Sequence, residues 1–167
     1  MSSPPIESRT ESVGRWQRAL LGLAVLMGCG GEPHYSLVVV SAELPSVDPS
    51  KVGCPTWDCA APPLSNPDPF VVVTPGSSRV HSFRTYTVRD SLAPRWGQVA
   101  IDDQTADVFA NPMSIDIVDE DDDVFNADDR VAHFDVQITQ AQLLAGGPIV
   151  LTTPVGAQTA TLTLEVR

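Results

Sequence analysis

Seven acidic residues crowd the stretch from Asp119 to Asp129: Asp119, Glu120, Asp121, Asp122 and Asp123 in unbroken succession, then Asp128 and Asp129 after a short gap. Two like charges 4 Å apart repel by about 4 kcal/mol at an effective dielectric near 20. Such a cluster splays into water, takes up protons, or holds a cation. The donors are all oxygens on a loop, which suits a hard ion, and calcium takes about 6–8 of them. On this stretch alone a solvated acidic loop remains the plain alternative. An EF-hand is excluded: counted from Asp119, its sixth and twelfth positions require Gly and Glu, and Val124 and Arg130 stand there. Catalytic constellations do not emerge. No Gly-x-Ser-x-Gly elbow surrounds a serine, and no Gly-rich phosphate cradle precedes a helix. Carboxylates pair only inside the acidic loops, where like-charged neighbours make a poor general acid. The chain reads as no enzyme.

A strand must deliver this cluster. Met113, Ile115 and Ile117 alternate with polar neighbours, which places them on one face of a sheet. Further strands read at 35–42, 70–74, 79–89, 96–101, 131–138, 148–153 and 159–166, with Val80, Ser82, Arg84, Tyr86 and Val88 sharing a face of the third. The long loop 44–67 carries Pro45, Pro49, Pro55, Pro62, Pro63 and Pro67, which forbid helix and discourage ladder pairing. Helical periodicity is confined to one turn near Ala141–Leu144. With 167 residues, 43% apolar and 6% aromatic, the chain is one domain plus appendages. The expectation is all-β: an eight-stranded antiparallel sandwich with little helix.

The first 28 residues read as an address. Arg15 and Arg18 precede an apolar run, Ala19 to Met27, too short to span a membrane. The run ends in Leu26-Met27-Gly28-Cys29, which resembles the bacterial lipobox. That resemblance implies cleavage before Cys29, a lipid on its sulfur, and an outer-membrane or cell-surface location. An ordinary secretory signal and a chain that is not exported are the alternatives. The expected layout is a lipoprotein signal peptide at 1–28, a tether at 29–34 and a sandwich domain at 35–167. Two cysteines then remain, Cys54 and Cys59, and an even remainder in an exported chain suggests a disulfide. Zinc would need two more ligands, and His34, His81 and His133 lack ligand spacing. Losing three arginines and two glutamates with the signal takes the net charge from −11 to −12. A chain this acidic has no footprint for nucleic acid. It is repelled from anionic surfaces unless bound cations offset its charge.

Five blocks carry a family resemblance in order. Tyr35 to Pro45 resembles the opening strand of a C2 domain, a strand followed by Ala-x-x-Leu or a near variant, here Ala42-Glu43-Leu44. Asn66-Pro67-Asp68-Pro69-Phe70-Val71 is similar to the family's Ser-Asp-Pro-Tyr-Val. Arg84 to Gln98, with Ser91-Leu92-Ala93-Pro94-Arg95-Trp96, is similar to its Thr/Ser-Leu-Asn-Pro-x-Trp-Asn-Glu segment. Val118-Asp119-Glu120-Asp121 resembles Val-x-Asp-x-Asp, and Asp129 to Phe134 resembles Asp-x-Ile-Gly-x-Phe/Tyr. The resemblance implies a C2-like β-sandwich in the permutation found in phospholipases, binding calcium through Asp58, Asp68, Asp119, Asp121 and Asp129. Asp48 is the runner-up to Asp58 in the first loop, and Asp123 and Asp128 are further candidates in the third. Implied partners are phospholipid or protein, reached through calcium, with Val124 and Phe125 at the loop tip. A structural or interaction module whose loops are merely rigidified is the rival reading.

Overall fold

The computed structural model describes residues 31–49, 56–57, 66–121 and 128–167. Its strands are β1 (His34–Glu43), β2 (Pro69–Thr74), β3 (Phe83–Arg84), β4 (Arg95–Thr105), β5 (Met113–Asp119), β6 (Asp129–Val136), β7 (Gly147–Val155) and β8 (Gln158–Val166). Two short helices, α1 (Ala106–Phe109) and α2 (Gln140–Ala145), join them. The strands form two four-stranded antiparallel sheets, ordered β4-β1-β8-β7 and β3-β2-β5-β6. The first and last strands are central neighbours, in register from Leu37↔Val166 to Glu43↔Thr161. That pairing is the one the expected permutation requires.

Period-two patterning builds the core. Met113, Ile115 and Ile117 turn inward and are buried, as do Val71 and Val73 of β2 on the neighbouring strand. Leu37, Val39, Leu162 and Leu164 face them from the other sheet. Each such side chain contributes roughly 1.5–3 kcal/mol on leaving water. Trp57, 1% exposed, donates its indole N–H to the Pro45 carbonyl at 2.7 Å, just beyond the end of β1.

Three elements differ from expectation. The strand expected over 79–89 is reduced to Phe83–Arg84. Beyond it the chain still runs beside β2 and the Thr85 N–H donates to the Val71 carbonyl at 2.9 Å, but side chains take over other acceptor positions. The Val71 N–H donates to Thr85 Oγ1 rather than to a carbonyl, and the Tyr86 N–H donates to Gln98 Oε1. Ladder pairing stops there, although Val88 still donates to the Pro69 carbonyl. β4 extends to Thr105 rather than ending at 101 and leads directly into α1, which buries Val108 and Phe109. The helical turn near Ala141 is present as α2, closed by a capping box between Thr139 and Gln142.

Because neighbouring strands are antiparallel, alternate loops collect at opposite ends. The β1–β2, β3–β4 and β5–β6 loops and the β7–β8 turn lie at one end. His34, Arg167, α1 and α2 lie at the other. At that second end Ser36 and Arg167 exchange two main-chain hydrogen bonds, at 3.0 and 3.1 Å. β7 is a sheet edge and carries Pro148 and Pro154 near its two ends.

Candidate metal-binding rim

Register brings the acids together. Pro69 of β2, Asp119 of β5 and Asp129 of β6 sit side by side on three adjacent strands. Asp119 continues the inward parity of Ile115 and Ile117, so its carboxylate is buried, with 1% of the residue exposed. One residue before β2, the Asp68 N–H donates to Asp119 Oδ1 at 2.6 Å, and the Asp68 carbonyl accepts from the Glu120 N–H at 3.1 Å. Asp121 and Asp128 face each other across the mouth of the β5–β6 loop, the Asp121 N–H donating to Asp128 Oδ1 at 3.3 Å.

A residue without a sequence signal joins this group. Asp90 lies in the β3–β4 loop with φ +51°, the left-handed region that non-glycine residues seldom occupy. Its N–H donates to Asp68 Oδ1 at 2.6 Å, and its own Oδ1 accepts from the Asn66 N–H at 2.8 Å. The loop before β2 and the loop before β4 are thereby tied by reciprocal Asp–amide bonds. An aspartate in a turn bonding to main chain is a common local device. Its partner is 22 positions away, so only the folded chain reveals it.

Glu120 has the opposite parity and leaves the rim for the outer sheet face. There it pairs with Arg84, whose guanidinium lies 3.8 Å from the centre of the Phe70 ring. A hydrogen bond from Thr87, and then one from Arg84, hold the Glu120 carboxyl below the usual range. On the same face His133 Nδ1 contacts Asp116 Oδ1 at 2.8 Å and its Nε2 lies 3.4 Å from Asp135. Asp116 raises the His133 pKa above its ordinary value, first by that hydrogen bond and then by its charge. Trp96 is core, and its indole N–H donates to the Tyr86 carbonyl at 3.0 Å.

The fold thus gathers Asp68, Asp119, Asp121, Asp128 and Asp129 at one end and adds Asp90. Asp48 is 4% exposed and lies elsewhere on that end, where the adjoining Pro49 packs against Gly156 of the β7–β8 turn. Asp58, Asp123, Val124, Phe125, Cys29, Cys54 and Cys59 lie outside the described residues. Among the described residues, no three Asp, Glu, His or Cys side chains already stand at metal-holding separations. In this arrangement Asp68, Asp90, Asp119 and Asp128 each give one carboxylate oxygen to a main-chain N–H. The donor set is nonetheless all oxygen, which fits a hard cation and not a soft one.

An antiparallel two-sheet sandwich with acidic loops at one end defines the class of protein. The C2 domain family model matches residues 39–153, and the chain belongs to that family. It resembles the calcium-bound pair of C2 domains of extended-synaptotagmin 2 (TM-score 0.55, 14% identity, covering 80% of this chain and 44% of that one). It is also similar to a C2 domain of plant extended synaptotagmin 1 (TM-score 0.54, 13% identity, 80% and 91% covered). Human GIVD cytosolic phospholipase A2 aligns over 80% of this chain at 19% identity and a TM-score of 0.49, and the aligned part is 16% of that much longer chain. No curated protein sequence matches the chain.

Proposed function

We propose that this C2 domain is a non-catalytic binding module on an exported, lipid-anchored chain, taking up calcium at the acidic rim to engage phospholipid or a protein partner. Asp68, Asp119, Asp121 and Asp129 are the ligands within the described residues, with Asp128 and Asp90 beside them. Asp58 completes the first loop, with Asp48 its alternative, and Asp123 extends the third. The juxtaposition of Asp68, one residue before β2, with Asp119 and Asp129 on the adjacent strands carries the reading. Binding asks the Asp68 and Asp119 carboxylates to share their oxygens between main-chain N–H groups and the ion. The ion offsets repulsion that the bare rim must bear. Its remaining coordination positions are open to a phosphate or carboxylate oxygen from outside.

The layout is a signal peptide at 1–28, lipid on Cys29, a tether at 29–34 and a Cys54–Cys59 disulfide, which places the module in the bacterial cell envelope at the outer membrane or surface. Calorimetric titration of the mature chain tests the calcium reading. Binding at about 10⁻⁴–10⁻³ M is expected, as for other extracellular calcium modules, and it should be lost in Asp119→Asn with Asp121→Asn. Absence of both heat and thermal shift at millimolar calcium overturns it.

A second reading has its own observation. The bonds from the Asp90 N–H to Asp68 and from the Asn66 N–H to Asp90 already tie loop to loop, and the bond from Asp121 to Asp128 closes the β5–β6 loop on itself. Calcium that only tightened these ties would leave a structural module. Calcium-dependent sedimentation with liposomes separates the two readings.

A further inference from the structure

We infer that the outer face of the β4-β1-β8-β7 sheet is a self-docking surface, on which a second copy of this chain packs face to face with its acidic rim at the opposite end. Such pairing needs neither calcium nor a lipid anchor.

Register lays that face out in rows. Leu37, Val39, Leu162 and Leu164 point into the core, so the residues alternating with them point outward. One row reads Val99–Val38–Glu165–Pro148 across all four strands, and the next reads Arg95–Ser41–Thr163–Val150. A third, nearer the rim, sets Glu43 beside Thr161 of β8. Val99 and Val150, at opposite edges of the face, are 42% and 61% exposed. Bare apolar side chains gathered on one such face mark a surface of contact.

Charge selects the occupant. The chain carries −11 overall. Its rim is acidic, and the outer face of the other sheet is taken up by the Arg84–Glu120 and His133–Asp116 pairs. Across the three rows the only charges are Arg95, Glu43 and Glu165, and Arg167 Nε lies 3.0 Å from Glu165 Oε1. Two copies therefore meet here with little repulsion. Turning the second copy end for end keeps the rims apart and sets the second row of each against the third row of the other. Arg95 then approaches Glu43 of the second copy, twice about the dyad, as a closed isologous contact requires. Among the described residues neither Glu43 nor Arg95 has an ion-pair partner in its own chain. The area suffices for weak pairing. Four strands about 4.8 Å apart and nine residues long, at about 3.3 Å per residue, give about 570 Å² per copy and about 1,100 Å² for the pair. Specific interfaces begin near about 1,000 Å².

Sedimentation equilibrium of the mature chain with Cys29→Ser, in chelator, tests this. A reversible monomer–dimer equilibrium is expected with its midpoint near about 100 µM, the regime of small transient interfaces. Val150→Asp and Val99→Lys, both at exposed positions, should each weaken it at least about tenfold by burying a charge, with the thermal midpoint unchanged. Leu144→Asp, on α2 and off the face, should leave it intact. Glu43→Arg should weaken pairing, and adding Arg95→Glu should restore it. A chain that stays monomeric at about 500 µM, well above that regime, overturns the inference, as does pairing that both valine variants leave untouched. A dimer lost only in Leu144→Asp moves the contact to the α1–α2 end and overturns it too. Failure of the charge swap to restore pairing, with both valine variants monomeric, overturns the end-for-end arrangement.

Discussion

The Asp68 amide donates to the buried Asp119 carboxylate at 2.6 Å, bonding the residue before one strand to the last residue of its neighbour. This single bond makes Asp119 both a structural acceptor and a member of the acidic rim. The two roles separate by mutation. Asp119→Asn keeps a carbonyl oxygen for the Asp68 N–H and removes the charge. Its thermal midpoint without calcium should not fall, and its calcium response should vanish. Asp119→Ala strips the acceptor from a partly buried amide and should cost about 1–3 kcal/mol in chemical denaturation.

Glu120 makes acid stability readable. Its folded pKa lies below the ordinary 4.5, through Thr87 first and Arg84 next. A depressed carboxyl contributes stability that is present above 4.5 and lost as pH falls through the folded value. Denaturation midpoints of the wild type should therefore drop between about pH 5 and 3, and Glu120→Gln should flatten that drop. An unchanged acid limb in the variant would count against the pairing.

His133 titrates with the opposite sign. Its folded pKa is raised above the ordinary 6.5, first by the hydrogen bond to Asp116, with the charges of Asp116 and Asp135 adding and that of Arg130 opposing. The stability it contributes is complete below 6.5 and disappears as pH rises through the folded value. An NMR titration of the imidazole should show its midpoint moving down in Asp116→Asn. A midpoint that stays put would remove Asp116 as the cause.

The cap of α2 is a local test of the fold. Thr139 Oγ1 accepts from the Gln142 N–H at 3.3 Å while Gln142 Oε1 accepts from the Thr139 N–H at 2.9 Å. Thr139→Ala should cost about 0.5–2 kcal/mol, with faster amide exchange in Gln140–Ala145. Calcium titrations should not change, because α2 lies at the end of the sandwich away from the acids.

Much of this architecture was legible in the alternation of side chains. Met113, Ile115 and Ile117 announced a strand with one dry face, and five ordered blocks pointed to the family that the chain proves to belong to. In the structure the same parity runs two residues further and puts Asp119 inside, where the sequence had suggested only a loop acid. What escaped the sequence was non-local. β3 ends early because Gln98 and Thr85 take the place of main-chain partners, a competition set by tertiary approach and not by strand propensity. Asp90 drew no attention because an aspartate in a turn is ordinary until its amide meets a carboxylate from another loop. α1, at four residues, is too short to leave a helical period, and its two buried side chains hold it in place more than any cap, since Thr105 makes no side-chain cap bond.

Pro148 and Pro154 have a consequence for crowding. At high protein concentration a bare strand edge such as β7 invites a neighbour to zip onto it. Two of the nine residues on this edge lack the N–H such zipping would use. This edge is thereby blunted against pairing with a second sandwich.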